Sequence, residues 1–256
     1  MSEDESKKPR VSRTPEQESA RRTRRAFVTL GIGAAVGYGG WTWLRSTPQI
    51  GEEQWPIRRM LDFNERLADA YFSDSHLAPT FPPDRVEDLR ANGDVGLGNG
   101  FDPADWSLTV KPLAGSDPVR RLTMADIKAL PKVEYTTQFK CVEGWSIINQ
   151  FAGARFSDFT RQFAPQSAQA RYVSMQTPDE MYFVGLDMAS ALHPQTLLCY
   201  EMNGEPLTSD HGAPLRLAIP VKYGLKNIKR IGMIAYMNDR PPDYWAEEGY
   251  DWYDGL

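Results

Sequence analysis

The sequence predicts an α+β protein, a domain built mostly of strands with short interposed helices and preceded by one apolar helix. Three features support this fold class. Segments rich in β-branched and aromatic residues recur from residue 133 onward, short segments with helical spacing separate them, and an uncharged stretch occupies residues 26–44. The chain is 41% hydrophobic and 25% charged, which is the composition of a globular protein.

Strands are indicated by residue type and by alternation of apolar and polar side chains. Residues 106–110 alternate in this way, and Asn203-Gly204 is typical of a tight hairpin turn. Further strands are predicted over residues 133–142, 171–176, 197–202, 215–220 and 229–236.

Helical spacing predicts four helices within the domain. Thr123 is expected to cap the second of them, with Asp126 at its third helical position and Pro131 beyond its end. The predicted helices cover residues 58–71, 123–130, 156–163 and 187–192.

Two segments are interpreted as irregular. Residues 93–100 are rich in glycine, but no buried strand leads into them and Asp102-Pro103 interrupts any following helix, so a surface loop is expected rather than a phosphate-binding loop. The aromatic and acidic residues 243–253 are expected to pack over the domain as a tail.

Charge is unevenly distributed along the chain. The formal net charge is −5, yet residues 1–25 hold eight basic and five acidic residues, which leaves the rest strongly acidic. A basic tail before nineteen uncharged residues predicts a transmembrane anchor over 26–44, with 1–25 cytoplasmic and 45–256 on the other side. A buried helix of a soluble domain is the alternative interpretation.

Residues 23–28, Thr-Arg-Arg-Ala-Phe-Val, resemble the bacterial twin-arginine export signal, although Thr29 stands where that signal has Lys. This route carries proteins that are already folded, often because a cofactor is inserted first. We therefore expect a protein of the bacterial inner membrane with its main domain in the periplasm. An uncleaved anchor is favoured over a removed signal because no small-x-small cleavage site follows.

Composition excludes several classes of protein. The acidic balance argues against a nucleic-acid-binding protein. Two Cys and three His exclude a four-Cys zinc site and leave little room for a metal centre built from His. The sequence contains no CxxCH motif, so c-type haem attachment is not expected.

Cys141 closes a strand-like run and precedes Val142-Glu143-Gly144-Trp145. Considered alone, this residue has three interpretations. A lone Cys is most often a small buried hydrophobic residue. It could also have a functional role, or pair with Cys199 in a disulfide, which needs two nearby Cα atoms.

Two sequence blocks carry a family resemblance. Residues 140–146, Lys-Cys-Val-Glu-Gly-Trp-Ser, followed by 151–159, Phe-Ala-Gly-Ala-Arg-Phe-Ser-Asp-Phe, resemble the sulfite oxidase superfamily of molybdopterin enzymes. Residues 210–217, Asp-His-Gly-Ala-Pro-Leu-Arg-Leu, and 220–226, Pro-Val-Lys-Tyr-Gly-Leu-Lys, have that family's order and spacing. The Cys-Val-Glu-x-Trp form is most similar to the catalytic subunits of bacterial periplasmic methionine-sulfoxide reductases. The resemblance covers roughly residues 105–237.

The resemblance implies a sulfite-oxidase-like domain that binds Mo-molybdopterin, with Cys141 as the molybdenum ligand. A soft thiolate suits a redox metal that also holds sulfur from its cofactor. Arg216 offers a planar fork to a phosphate or a pterin carbonyl, and Gly224 lets backbone N–H groups approach a phosphate. The cofactor-binding residues implied are Cys141, Thr177, His211, Arg216, Lys222, Gly224, Lys226 and, on a weaker match, Asn64.

Some of these residues also have simpler interpretations. Lys222 and Lys226 are equally typical of solvated charges on a surface turn, and Arg216 alternates with Leu215 and Leu217 as a solvent-facing strand residue would. His211 departs from the reductase branch, which has Asn at this position, and matches the sulfite oxidases.

The expected function is therefore oxygen-atom transfer on a small S- or N-oxide such as methionine sulfoxide. Sulfite oxidation is the alternative favoured by His211, and a non-catalytic binding protein on the same fold is the second class. Since no haem motif is present, electrons are expected to pass through a separate protein, such as a membrane b-type cytochrome or a periplasmic cytochrome. The expected membrane contact is the segment 26–44.

Overall fold

The computed structural model describes residues 15–51, 53–98 and 101–255. The described residues form two compact units, one with the residues up to Ile50 and Gln54–Pro56, the other with Gly51, Glu53 and the residues from Ile57 onward. Most of the predicted basic tail, residues 1–14, lies outside the described residues, as do the last two residues of the glycine-rich stretch 93–100.

The first unit consists largely of helix α1, Pro15–Ser46. The helix predicted over residues 26–44 is therefore present, but its assignment as a transmembrane anchor is not supported. No helix among the described residues is both long and apolar enough to cross a membrane. Five glycines, together with Thr, Tyr and Trp residues, lower the mean hydropathy of this segment.

The second unit is rich in strands, as the sequence predicts. The helices of the chain are α1 Pro15–Ser46, α2 Trp55–Tyr71, α3 Met124–Lys128, α4 Phe156–Phe163, α5 Met188–Leu192 and α6 Tyr244–Glu247. The strands are β1 Gln49–Ile50, β2 Glu53–Gln54, β3 Leu108–Lys111, β4 Arg120–Leu122, β5 Lys132–Lys140, β6 Ser146–Arg155, β7 Tyr172–Gln176, β8 Phe183–Asp187, β9 Leu197–Met202, β10 Glu205–Pro206, β11 Arg216–Ala218 and β12 Met233–Met237.

Two five-stranded sheets organise this unit. Sheet I has the strand order β10-β9-β6-β5, and β11 also pairs with β9. Sheet II has the order β4-β3-β12-β7-β8, in which only the β12–β3 pair is parallel. Strands and short helices mixed in this way confirm the predicted α+β class.

One hydrophobic core joins the two sheets and α4. Phe156 and Phe159 of α4, Met175 of sheet II and Leu198 of sheet I all belong to it. A smaller apolar cluster, which includes Cys199, lies on sheet I as well. Because successive side chains of a strand point to opposite faces, β9 serves both clusters, which explains its unbroken apolar sequence.

Several local predictions are confirmed. Helix α4 and strand β9 have the predicted bounds. The backbone N–H of Thr123 donates to the Asp126 carboxylate over 2.7 Å, which closes the expected cap of α3. Trp252 and Tyr253 are buried, so the C-terminal residues pack on the domain.

The sequence does not predict β6, the longest strand, or β8. Polar residues and Gly153 interrupt the apolar pattern of β6. Gly153 has a structural reason to be there, because the pairing with β9 shifts register between Ala152 and Gly153. A Cβ atom on Gly153 would overlap the carbonyl oxygen of Leu198 and come within 2.7 Å of the Cα of Cys199.

Gly153→Ala should therefore destabilise the domain. We expect a loss of about 1–3 kcal/mol in the free energy of unfolding, since the clash is with backbone that must move. Gly98→Ala is the control, because its Cβ would meet only an Asp179 carboxylate oxygen at 3.6 Å. Chemical denaturation of both variants measures the difference. Equal stabilities would show that the backbone of β9 moves aside without cost at Leu198 and Cys199.

Candidate active site

A cavity of about 130 Å³ lies against one face of sheet I. Alternation along β6 brings Ile147, Asn149 and Phe151 to this face. The lining residues are Arg90, Asn92, Gly93, Val95, Phe139, Cys141, Trp145, Ile147, Asn149, Phe151, Tyr182, Met202, His211, Arg216, Gly224, Leu225, Asn227, Lys229 and Trp245. None of these is an Asp or a Glu, so the cavity is lined by neutral and cationic groups.

Cys141 stands at the end of β5, where the chain turns towards β6. Its N–H donates to the Trp145 carbonyl over 3.0 Å and its carbonyl accepts from Gly144 over 3.1 Å, and Gly144 has the positive φ of +86° that this turn requires. Cys141 is 8% exposed and lines the cavity. Burial raises the pKa of its thiol, while backbone N–H groups and Arg90 act in the opposite direction.

The predicted alternative of a disulfide is excluded, because both cysteines are free and buried. Cys199 lies in β9, where its thiol donates to the Glu201 carbonyl over 3.1 Å. Burial raises the pKa of Cys199 to about 11, and Cys199 is outside the cavity lining. Only Cys141 of the two therefore presents sulfur to the cavity.

Arg216 carries a buried positive charge at the cavity wall. It is only 4% exposed, so it does not face solvent. Its guanidinium donates to the carbonyls of His211 and Asn227, each over a long 3.4 Å, and the described residues include no carboxylate in an ion pair with it. Burial lowers the pKa of Arg216. A buried charge with such weak partners fits an anionic ligand.

Two further titratable groups share this environment. Lys229 Nζ donates to the carbonyls of Asn92 and Gly93, each over 2.8 Å. Burial and the nearby Arg216 lower the pKa of Lys229 to about 8. Burial also lowers the pKa of His211, and both Arg216 and Lys229 add to the effect. Arg216 disfavours the positive charge of both Lys229 and His211, and Lys229 disfavours that of His211, which an anion between them would relieve.

Asn149 supplies an orphaned polar atom. It lies in β6 opposite Thr137 and lines the cavity. Its Oδ1 is buried and has no hydrogen-bond partner. Such atoms are rare in folded proteins, so this one indicates that a ligand with a hydrogen-bond donor belongs in the cavity.

Aromatic rings form the more apolar part of the lining. Trp145 stacks on Phe139 with ring centroids 5.9 Å apart, and the guanidinium of Arg90 lies 4.2 Å from the Trp145 ring. Trp145 Nε1 also donates to the Glu143 carboxylate over 2.7 Å. These contacts hold Trp145 in one orientation beside Cys141.

The structure brings four of the predicted site residues to the cavity, namely Cys141, His211, Arg216 and Gly224. Their roles towards a cofactor stay predictions. Thr177 is buried outside the lining, where its hydroxyl donates to Asp179 over 2.6 Å. Asn64 is exposed on α2 and is also outside the lining.

For Lys222 and Lys226, the structure differs from both interpretations that the sequence allows. They are neither solvated surface charges nor cavity residues, since both are buried. Lys226 pairs with Asp243 over 2.6 Å, and Lys222 lies 3.6 Å from Asp187. Lys229 is the lysine that lines the cavity.

Sequence reasoning misses several lining residues. Lys229 falls inside a predicted strand, and its only signal is its position three residues after Lys226. Asn149 gives no signal, because β6 itself is not predicted. Arg90 and Trp245 come from distant segments that only the fold brings together. Gly93 and Val95, from the glycine-rich stretch that the sequence assigns to a surface loop, also line the cavity.

Comparisons with known proteins identify a family and several relatives. Residues 96–245 match the family described as the oxidoreductase molybdopterin binding domain. A putative protein-methionine-sulfoxide reductase subunit, YedZ1, of Azospira oryzae is 34% identical over 199 residues, which cover 77% of this chain and 74% of that protein. The catalytic subunit MsrP of Campylobacter jejuni is 28% identical over 249 residues, covering 89% and 77%. The sulfane dehydrogenase SoxCD of Paracoccus pantotrophus has a TM-score of 0.48 at 16% identity, covering 55% of this chain and 40% of that one.

A buried thiol, unpaired cationic groups and an orphaned amide oxygen suit a metal cofactor with a phosphate and a polar ring system, and the matched family uses such a cofactor. The protein is a molybdopterin-dependent oxidoreductase, and Mo-molybdopterin is its cofactor. The chain belongs to the oxidoreductase molybdopterin binding domain family, in the sulfite oxidase superfamily, and the resemblance to methionine-sulfoxide reductase catalytic subunits is confirmed.

The two cysteines should respond differently to the same substitution. Cys141→Ser replaces a soft thiolate by a hard hydroxyl, so activity should vanish and the visible sulfur-to-molybdenum absorption should weaken or shift. Cys199→Ser should leave this absorption unchanged and cost about 1–3 kcal/mol of stability. Absorption spectra and denaturation curves measure both effects. Equal effects of the two substitutions on the spectrum would contradict the assignment of Cys141.

Lys229→Met should weaken cofactor binding. The lost charge-assisted hydrogen bond predicts about a tenfold lower affinity or more. Lysine binds an anion when protonated, so wild-type affinity should fall relative to that of Lys229→Met as the pH rises above about 8. Titration of apoprotein with cofactor measures the ratio at each pH, and the exposed Lys128→Met serves as the control. A ratio that does not change with pH would contradict a role of the Lys229 charge.

Proposed function

We propose that this protein reduces the S-oxide of methionine by oxygen-atom transfer. The observation that carries the proposal is the placement of Cys141 in a cavity whose lining contains both cationic and aromatic groups. Two relatives named as methionine-sulfoxide reductase subunits support the choice of substrate. The reaction consumes two electrons and two protons and converts the sulfoxide to a thioether and water.

The chain's own residues provide binding and orientation. Cys141 would hold the molybdenum, while Arg216, Lys229, His211 and Asn149 would hold the anionic and polar parts of the cofactor. When bound, Mo-molybdopterin supplies the two-electron redox chemistry and the exchangeable metal position that oxygen-atom transfer needs.

Trp145, Tyr182 and Trp245 would contact the apolar methyl and methylene groups of the substrate. Such rings favour apolar and polarisable sulfur groups. The hydroxyl of Tyr182 already donates to the Leu225 carbonyl over 2.6 Å. Tyr182 therefore offers its ring, rather than its hydroxyl, to a ligand.

Sulfite oxidation is the second candidate, because His211 occupies a position at which the sulfite oxidases have His. The two candidates differ in the direction of electron flow. A sulfoxide accepts electrons from a reduced dye, whereas sulfite delivers them to an oxidised dye.

The decisive experiment uses protein produced in a host that makes the cofactor. Molybdenum and pterin are first measured per protein chain, and the loaded protein is then tested with both substrates. Oxidation of a reduced dye with methionine sulfoxide, together with no reduction of an oxidised dye with sulfite, supports the proposal. Turnover of sulfite alone selects the second candidate, and a loaded protein that turns over neither substrate refutes both.

We further propose that the protein acts in the periplasm and receives electrons from a separate protein. The twin-arginine-like residues 23–28 support export, and the names of the relatives as subunits support an electron partner. A membrane b-type cytochrome or a periplasmic cytochrome would fill this role. The exposed apolar side chains Phe27, Val28 and Leu30 of α1 support contact of this helix with the membrane during export.

Arg24→Lys combined with Arg25→Lys should keep the protein in the cytoplasm. The substitution preserves charge, so a route that needs only a positive N-terminal region would be unaffected. Fractionation followed by immunoblotting measures the distribution. Arg21→Lys combined with Arg22→Lys is the matched control and should be exported normally. Periplasmic delivery of the variant with Arg24→Lys and Arg25→Lys would contradict the assignment of residues 23–28 as a twin-arginine signal.

A further inference from the structure

Lys226 lies beneath the cavity in a fully enclosed ion pair. Its Nζ is 2.6 Å from Asp243 Oδ2 and donates to the Gly185 carbonyl over 3.2 Å. Both side chains are only 1% exposed. Asp243 Oδ2 also accepts from the Gly185 N–H over 3.1 Å, so the pair joins β8 to the C-terminal segment, residues 243–255.

Lys222 makes a second connection to the same segment. Its Nζ donates to the Tyr253 carbonyl over 2.9 Å and lies over the Tyr253 ring. The backbone contributes as well, since Tyr223 N–H donates to the Asp254 carbonyl over 3.1 Å and Lys222 bridges to Gly255. The C-terminal segment thus contacts the 222–227 loop at two points, Lys222 and Lys226.

The other side of the 222–227 loop faces the cavity. Gly224, Leu225 and Asn227 belong to the lining. Gly224 packs so closely on Phe139 that a Cβ atom would come within 2.7 Å of that ring. The C-terminal segment also contributes Trp245 to the lining. The position of this cavity wall therefore depends on how the segment is docked.

We propose that Asp243, acting through Lys226, is a positioning residue for the cofactor, and that the C-terminal segment is a clasp that fixes the 222–227 loop in its cofactor-binding position. Lys222 and Lys226 contribute to cofactor retention from beneath the loop, through its backbone. The proposal depends on the cofactor, not on the identity of the substrate.

The charge of the pair matters because both partners are shut off from water. Asp243→Asn removes the carboxylate that pairs with the Lys226 ammonium in a buried site. The 222–227 loop can relieve this by moving Lys226 towards solvent, and that movement displaces Gly224 and Asn227 from the cavity wall. If the Asp243–Lys226 pair served only to stabilise the fold, Asp243→Asn would speed cofactor release no more than any other substitution that lowers the stability of the domain equally.

The test compares cofactor release from loaded Asp243→Asn with release from a stability-matched control. Ile127→Val or Ile127→Ala, whichever matches the unfolding temperature of Asp243→Asn, removes buried methyl groups from α3 in the main core. The rate of release is followed by the fluorescence of the freed pterin, well below the unfolding temperature. We expect release about tenfold faster or more from Asp243→Asn than from the control, as for the loss of one charge-assisted hydrogen bond.

Hydrogen exchange of the two apoproteins provides a readout independent of cofactor chemistry. Backbone amides of the 222–227 loop should exchange faster in Asp243→Asn than in the matched control, including the Tyr223 N–H bonded to Asp254. Equal release rates and equal exchange in this loop would overturn the proposal.

Lys222→Met keeps the proposal testable if Asp243→Asn does not fold. The variant retains an apolar stem over Tyr253 and removes the ammonium group, with its hydrogen bond to the Tyr253 carbonyl and its ion pair with Asp187. Faster cofactor release from Lys222→Met than from a control of equal stability supports the clasp. Release at the control rate, with unchanged exchange of the 222–227 loop, overturns it whether or not the enzyme is a sulfoxide reductase.

Discussion

A buried guanidinium with no carboxylate partner among the described residues is the constraint on which the site depends. Arg216 is enclosed by β9, the His211 turn and Asn227, and its hydrogen bonds to protein carbonyls are long. Arg216 lowers the pKa of both Lys229 and His211, and Lys229 lowers that of His211 further. An apolar side chain would fill this position at lower energetic cost in an empty domain. The arrangement is explained when the cavity is built to receive an anion.

The two faces of sheet I have different roles, and this division makes such a cavity compatible with a stable fold. One face of β9 and β11 contributes Leu198 and Leu217 to the core shared with sheet II and α4. The opposite face carries Arg216, together with Asn149 and Phe151 of β6. Alternation along the strands therefore separates the stabilising face from the binding face, and the polar groups of the site do not interrupt the core.

Much of the fold and part of the site follow from the sequence. The apolar run of β9 and the helical spacing of α4 reflect burial, which local residue patterns record directly. Cys141, His211, Arg216 and Gly224 sit within motifs and reach the cavity. Lys222 and Lys226 occupy the same motif, yet tertiary contacts with Asp187 and Asp243 draw them beneath the loop. No local pattern contains those partners. β6 is missed for a related reason, because Gly153 is required by the backbone of β9 rather than by its own strand.

The central claim is that Arg216 is retained for the cofactor and not for the stability of the domain. The most direct measurement is the free energy of unfolding of cofactor-free wild type and cofactor-free Arg216→Met. The predicted result is that the variant is as stable as wild type or more stable, because Met fills the buried position without an unpaired charge. A loss of about 3–5 kcal/mol, the cost of breaking a satisfied buried ionic contact, would contradict it.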